Sequence, residues 1–215
     1  MGDETKHGHG DGAFRVGIAH TSWQLERARQ LVDTCYHHAG FRAAGPVRHG
    51  AGNKTITALA MRASRAIATV TLTVDGSNGL HADDQYADEL GDLRAGGARL
   101  AEFGRLAVDA SMPFVRVLGP LVRKAALIGR HELGMTDIVV ECHPRHAEFY
   151  CRTLAFRRLG GLTQCRRVGA PAVLLHLRAG HLEDLAQQLT HNARLASLRS
   201  TIALVDSDEA ALPTD

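Results

Sequence analysis

The stretch 101–109, AEFGRLAVD, sets a carboxylate (Glu102) and a guanidinium (Arg105) three residues apart in an otherwise apolar run, around Gly104. Burying a charge is costly unless it is paired or used. The two residues are therefore either an ion pair across a sheet or the working part of a site. Strand side chains alternate faces, so residues three apart point to opposite sides. A β-bulge adds one residue and changes the facing of the residues after it, and glycine is common at bulges. This predicts a strand bulged at 103–104, with Glu102 and Arg105 turned toward one cleft and a backbone N–H released.

Other chemistry-bearing residues are less organised. There are 13 histidines, grouped at His37–His38 and at His143 and His146, with no zinc spacing or supporting ligand set. No metal is expected. Cys35, Cys142, Cys151 and Cys165 form no C-x-x-C pair, and the polar start MGDETKHGHGDG lacks the apolar core of a signal peptide. Reduced thiols in a cytoplasm are the expectation. A net charge of +2 gives no support to nucleic-acid binding. No apolar run approaches the roughly 18 residues of a membrane span.

The elements that must position these residues follow from periodicity. Residues 1–12 read as a disordered tail. FRVGIAH (14–20) is a first strand, and Thr21 and Ser22 offer N-cap oxygens to a helix with Leu25, Ala28, Leu31, Val32 and Cys35 at helical spacing. That helix ends near Gly40. Residues 42–54 form a Gly/Pro-rich loop. Strands over 55–62 and 66–76 are joined by a hairpin, and 77–97 is a long acidic insert with one short helix. The 99–109 strand comes next, then a helix over about 115–131, a buried strand over 137–144, a short amphipathic helix over 145–156, and strands at 157–162 and 171–178. A last helix is expected over 182–198 and a flexible tail over 205–215. The order β-α-β-β-β-α-β-α-β-β implies one α/β domain, 13–204, built on a mixed sheet.

This order, with Val139–Pro144, Phe149–Tyr150 and Phe156–Gly160, resembles the GNAT acyltransferase superfamily. Asp84, Glu89, Leu93, Arg94, Glu102, Arg105, Leu106, Ala107 and Val108 add a resemblance to the long-chain N-acyl amino acid synthases, which are GNAT-like and close in fold to acyl-homoserine lactone synthases. It covers roughly residues 14–178. The resemblance implies a GNAT-like mixed, mostly antiparallel central sheet with flanking helices, here with a C-terminal helical extension. The implied reaction is amine attack on a fatty acyl thioester. The implied donor is acyl-phosphopantetheine on acyl carrier protein, with no permanently bound cofactor, and the acceptor is an amino acid.

Coenzyme A-dependent GNAT enzymes usually carry a Gln/Arg-x-x-Gly-x-Gly/Ala phosphate loop. The corresponding segment here is ASMPFVRVLGPLVRKAAL, where Gly119 precedes Pro120, a residue with no N–H to donate. That departure fits a carrier-protein donor, whose arm has one phosphodiester. Arg116, Arg123, Lys124 and Arg130 then face an acidic carrier protein or are solvated helix charges.

The resemblance makes Glu102 the base candidate and Arg105 its orienter or the holder of the acceptor carboxylate. Gly104 bulges the strand. Asp84 and Glu89 shape the acceptor site or are solvated loop charges. Arg29 approaches the cleft or is a surface helix residue. Tyr150 protonates the leaving thiolate or belongs to the core. An acyl tunnel would draw on Leu72, Val74, Leu106, Val108, Val115, Leu118 and Val139, with Ala107 in the same motif. Alternatives are a homoserine-lactone synthase, a coenzyme A-dependent GNAT enzyme, and a non-catalytic module that binds acylated carrier protein.

Overall fold

The β-branched run Arg65–Val74 forms a nearly fully buried strand at the centre of an eight-stranded sheet. The structure, a computed structural model, describes residues 5–7, 13–42, 53–182 and 184. Within them the chain runs β1 (Thr5–His7), β2 (Phe14–Ile18), α1 (Ser22–His38), β3 (Lys54–Arg62), β4 (Arg65–Val74), α2 (Asp83–Ala95), β5 (Leu100–Val108), α3 (Phe114–His131), β6 (Asp137–Cys142), α4 (Pro144–Leu154), β7 (Arg157–Cys165) and β8 (Ala170–Arg178). Strand order is β1-β2-β3-β4-β5-β6-β8-β7. Every neighbouring pair is antiparallel except β5 and β6.

Period-two burial splits the sheet into two faces. Ala58, Val70, Ala101, Phe103, Ile138, Val140 and Val173 pack with Leu118, Leu121 and Ala125 of α3 and with Ala147 and Leu154 of α4. The opposite face carries α1 over Leu59 and Ala107, and α2 over Leu100, Val139 and Leu174. α1 starts where expected: Thr21 accepts from the Gln24 amide and Gln24 reaches back, a capping box. Leu25, expected on its apolar face, is largely exposed.

The parallel pairing of β5 and β6 sets the functional geometry. It holds from Leu100↔Asp137 to Phe103↔Val140 and then stops. Beyond that point β5 pairs on with β4, and β6 with β8. The sheet splits like a V, and its mouth lies at Gly104 and Glu141.

Some expectations change. Thr5–His7, read as part of a disordered tail, pairs with β2 as an edge strand. An edge offers unpaired backbone groups to any extended segment, whatever its side chains. The acidic insert carries a longer helix than expected, α2, with non-helical backbone at Tyr86 (φ −135°, ψ 38°). Helical backbone begins at 179–182. The rest of the 182–198 helix, the 205–215 tail and most of the 42–54 loop lie outside the described residues.

Candidate active site

On β5 the ladder to β4 runs Thr73↔Glu102, Thr71↔Gly104 and then Thr69↔Ala107. Residues 105 and 106 together oppose the single residue Val70, which is a β-bulge. The bulge thus falls after Gly104, not at 103–104. Arg105, not the glycine, takes the left-handed backbone, with φ +52°. Side chains disfavour that region by about 1–2 kcal/mol, and such conformations persist where the surroundings over-determine them. Gly104 stays in the ladder, and a Cβ built there would meet nothing within 4 Å. Without a side chain it leaves space at the mouth of the V.

The bulge does what the spacing requires. Glu102 shares the α1/α2 face through its partner Thr73. Arg105 reaches the same side, where it feels the charges of Arg167, Tyr36 and Asp33; burial, then Arg167, pulls its pKa down. On the opposite face a narrow slot of about 70 Å³ runs into the split, lined by Gly104, Leu106, Leu118, Cys142, Tyr150 and Phe156 among others. A larger cavity of about 680 Å³ is lined by Arg29, Thr57, Thr69, Thr71 and Arg105 among others. Arg105 borders both.

Glu102 is buried, 4% exposed. Its Oε2 accepts from the His81 amide at 2.7 Å and the Ala82 amide at 3.3 Å. Burial raises its pKa to about 7, the Glu141 charge adds to the rise, and Arg167 and the two amides oppose it. A carboxylate near 7 is matched to proton transfer at neutral pH.

The turn that presents those amides is itself braced. Gly79 adopts φ +62°, and a Cβ there would fall 2.6 Å from Asp83 Oδ2. That oxygen accepts from the Leu80 amide at 2.6 Å. Arg94 grips Asp83 with two bonds of 2.7 and 2.8 Å and Asp75 with a third of 2.6 Å, which pushes its pKa further up. Arg94 therefore positions Glu102 through two elements of backbone.

The remaining predicted residues divide. Leu106 and Tyr150 line the slot, and burial pushes the Tyr150 phenol well above its usual range, so it stays protonated. Ala107 and Val139 lie on the α1/α2 face as core residues, and Val108 packs against the α3/α4 core. Of the tunnel residues, Leu118 lines the slot, Leu72 is packed in the core, and Val115 is 47% exposed. Arg29 borders the large cavity, but its guanidinium is bound to Glu26 and Asp33 along α1. Asp84 is exposed on α2, while the adjacent Asp83 makes the structural ion pair with Arg94; Glu89 is half-buried. Arg116 and Lys124 are half-buried and Arg123 is exposed on α3.

Two residues escaped the sequence reading. Glu141 of β6 is almost fully buried at its side chain (4% exposed) and pairs with Arg167, from the turn between β7 and β8, at 3.1 Å. Glu141 gave the same signal as Glu102, a charge inside the apolar run DIVVEC. Arg167 gave none, since an arginine in a polar turn is ordinary. Among the described residues, no group of three or more His, Cys, Asp or Glu is arranged to hold a metal ion. No described helix is long and apolar enough to cross a membrane.

Comparison with known proteins places this geometry. The chain is similar to the structure of FeeM, an N-acyl amino acid synthase from uncultured soil microbes, at 25% identity and a TM-score of 0.67, over 79% of this chain and 98% of that one. It shares its fold with an acyl-CoA N-acyltransferase from Pseudomonas aeruginosa (14% identity, TM-score 0.51, 82% of this chain and 99% of that one). It also shares it with the AHL synthase LasI (12% identity, TM-score 0.52, 80% and 92%). The sheet is thus a GNAT-like one. No curated protein matches. The family described as N-acyl amino acid synthase FeeM matches residues 27–178, more than half of the chain. A family model matched over that length makes the protein a member of the FeeM N-acyl amino acid synthase family and an N-acyltransferase.

Proposed function

We propose that the enzyme moves a long-chain fatty acyl group from acyl carrier protein to the amine of an amino acid, by direct attack of the amine on the thioester. One observation carries this reading: a buried carboxylate with a pKa of about 7 stands beside a split between strands that opens into an apolar slot. Glu102 takes a proton from the acceptor ammonium, directly or through water, leaving a neutral amine. The amine attacks the thioester carbon from the α1/α2 side over Gly104. The thioester oxygen becomes an oxyanion at the mouth of the split, where N–H donors would stabilise it. The C–S bond then breaks: Tyr150, held protonated, donates to the departing thiolate, and the surplus proton on the attacking nitrogen returns to the Tyr150 oxygen through water, leaving a neutral amide, a thiol and the phenol.

The donor reading draws on α3. Its N-cap is Pro113, with no side-chain cap bond, and the preceding Asp109 presents a carboxylate that binds the Ser111 amide. Gly119 and Pro120 lie inside the helix and are buried. This end is poorly suited to a diphosphate, whereas a phosphopantetheine arm needs only the slot. Arg116, Arg123 and Lys124 on the same helix suit the acidic face of a carrier protein. The four cysteines are free thiols, in keeping with a cytoplasmic setting.

Mass spectrometry tests the reading. Purified protein is incubated with long-chain acyl carrier protein thioesters or acyl-coenzyme A and a panel of amino acids. The expected result is an N-acyl amino acid, formed faster from the carrier protein. Equal or better use of acyl-coenzyme A would overturn the donor assignment. Folded protein that makes no amide from any donor would overturn the function.

A further inference from the structure

Glu141 occupies a position that the proposed reaction leaves unused. Extending the parallel register of β5 and β6 one step past Phe103↔Val140 sets Glu141 across the split from Gly104. It lies on the face of Glu102, because Val139 and Glu141 alternate with Ile138 and Val140. One carboxylate oxygen, Oε2, accepts from Arg167. The other, Oε1, is buried and makes no hydrogen bond of ordinary geometry. The Cys165 thiol feels the Glu141 charge and lies within weak hydrogen-bonding reach of its carboxylate, but a thiol is a weak donor. A buried, unmatched carboxylate oxygen costs free energy and calls for a donor. Glu141 borders both the slot that runs into the split and a second pocket that it shares with Arg167.

The charges around that space have a pattern. Two carboxylates, Glu102 and Glu141, lie on neighbouring strands. Two guanidiniums, Arg105 and Arg167, are close enough to feel each other. Arg105 is held there by a left-handed backbone that an arginine does not favour. Like charges crowded in a half-buried site repel, and an anion between them relieves the repulsion. Carboxylates and guanidiniums set beside one another, with Arg167 bonded to Glu141, match a molecule with an ammonium and a carboxylate a few bonds apart.

Building on the acyl-transfer reading, we propose that Glu141 and Arg167 are the acceptor clamp. The unmatched Glu141 oxygen receives an N–H of the incoming ammonium and aims it at Glu102. Arg167, together with Arg105, holds the acceptor's carboxylate. The enzyme would therefore select free α-amino acids over amines of the same side chain. A pocket of about 110 Å³ bordered by Glu141, Arg167, Tyr36, Phe41 and His143 is placed to receive that side chain.

Two readouts test the clamp. In competition assays with acyl carrier protein thioester, the ratio of amide formed from an amino acid to that from its decarboxylated amine is measured by mass spectrometry. A ratio does not depend on how much of a variant is folded. Calorimetric titration of the resting protein with the same two compounds reads binding without acyl transfer. The wild type should favour the amino acid. Arg167→Met should lower that preference by roughly 10–100-fold, the effect of losing one charged hydrogen-bonded contact, with the donor KM unchanged. Arg167→Lys should retain part of the preference. Glu141→Gln should raise the acceptor KM and weaken binding of both compounds. Amide formation with preference intact in Arg167→Met would overturn the clamp and leave the acyl-transfer reading standing. Amino-acid binding that weakens in Arg167→Met, in a wild type that forms no amide, would support the clamp and overturn the reaction. Neither binding nor amide formation would overturn both.

Discussion

Replacing Glu102 by Gln should make the protein more stable at alkaline pH while removing its activity. In the folded state burial raises the Glu102 pKa from the ordinary 4.5 to about 7. The unfolded chain therefore releases this proton earlier than the native one. Below about pH 4.5 both states are protonated and the residue costs nothing. Between there and pH 7 the unfolded state binds fewer protons, so stability falls as pH rises. Above pH 7 the accumulated penalty is about 3 kcal/mol, at roughly 1.4 kcal/mol per pH unit. Gln keeps a carbonyl oxygen for the His81 and Ala82 amides and never ionises. Urea unfolding of both proteins at pH 5, 6, 7 and 8 should show near-equal stability at the lowest pH and a gap widening toward about 3 kcal/mol at the highest. Over the same series amide formation by the variant should fall roughly 10²–10⁴-fold, the usual share of a general base. A gap that does not change with pH, or a variant less stable at pH 8, would refute the claim that Glu102 is held near neutrality by burial.

Three further outcomes are expected from the geometry. Gly104→Ala should fold at least as stably as the wild type, since a strand alanine is favoured over glycine by about 0.5–1 kcal/mol and its Cβ meets nothing. Its amide formation should nonetheless drop, because the methyl enters the space left for the acceptor; undiminished kcat/KM would contradict that use of the space. Tyr150→Phe should slow turnover most with poor leaving groups, and an unchanged rate with the natural thioester would return Tyr150 to the core. Arg94→Met should unpair Asp75 and Asp83 and loosen the 79–83 turn. Because its effect reaches the reaction through the Glu102 amides, it should displace the pH dependence of kcat/KM, whereas a purely structural role would lower activity at every pH alike.

Much of the fold could be read from the sequence because burial leaves periodic marks. The β-branched run in Arg65–Val74, the helical spacing of α1 and the Thr21 cap each appear where expected. The bulge was legible as a need, since two charges three apart cannot share a face without one. Its position was not, because glycine is the usual carrier of a left-handed residue and the structure forces Arg105 into that role. Asp84 and Asp83 are adjacent, and only the tertiary reach of Arg94 decides which one it pairs with. Glu141 could have been found by the reasoning that found Glu102. Arg167 could not, because its partner lies 26 positions away in sequence and nothing local marks a turn arginine for a buried carboxylate. Thr5–His7 pairs with β2 although its composition reads as a tail.

The central claim is that a carboxylate on the bulged strand deprotonates an amine in front of a thioester. The pH dependence of kcat/KM for amide formation, measured by mass spectrometry with saturating acyl carrier protein thioester and limiting amino acid, tests it most directly. The wild-type profile should rise through an inflection near pH 7 and level off, and Glu102→Gln should lose that inflection along with most of the rate. A Glu102→Gln profile that keeps the same inflection and a comparable rate would show that another group removes the proton.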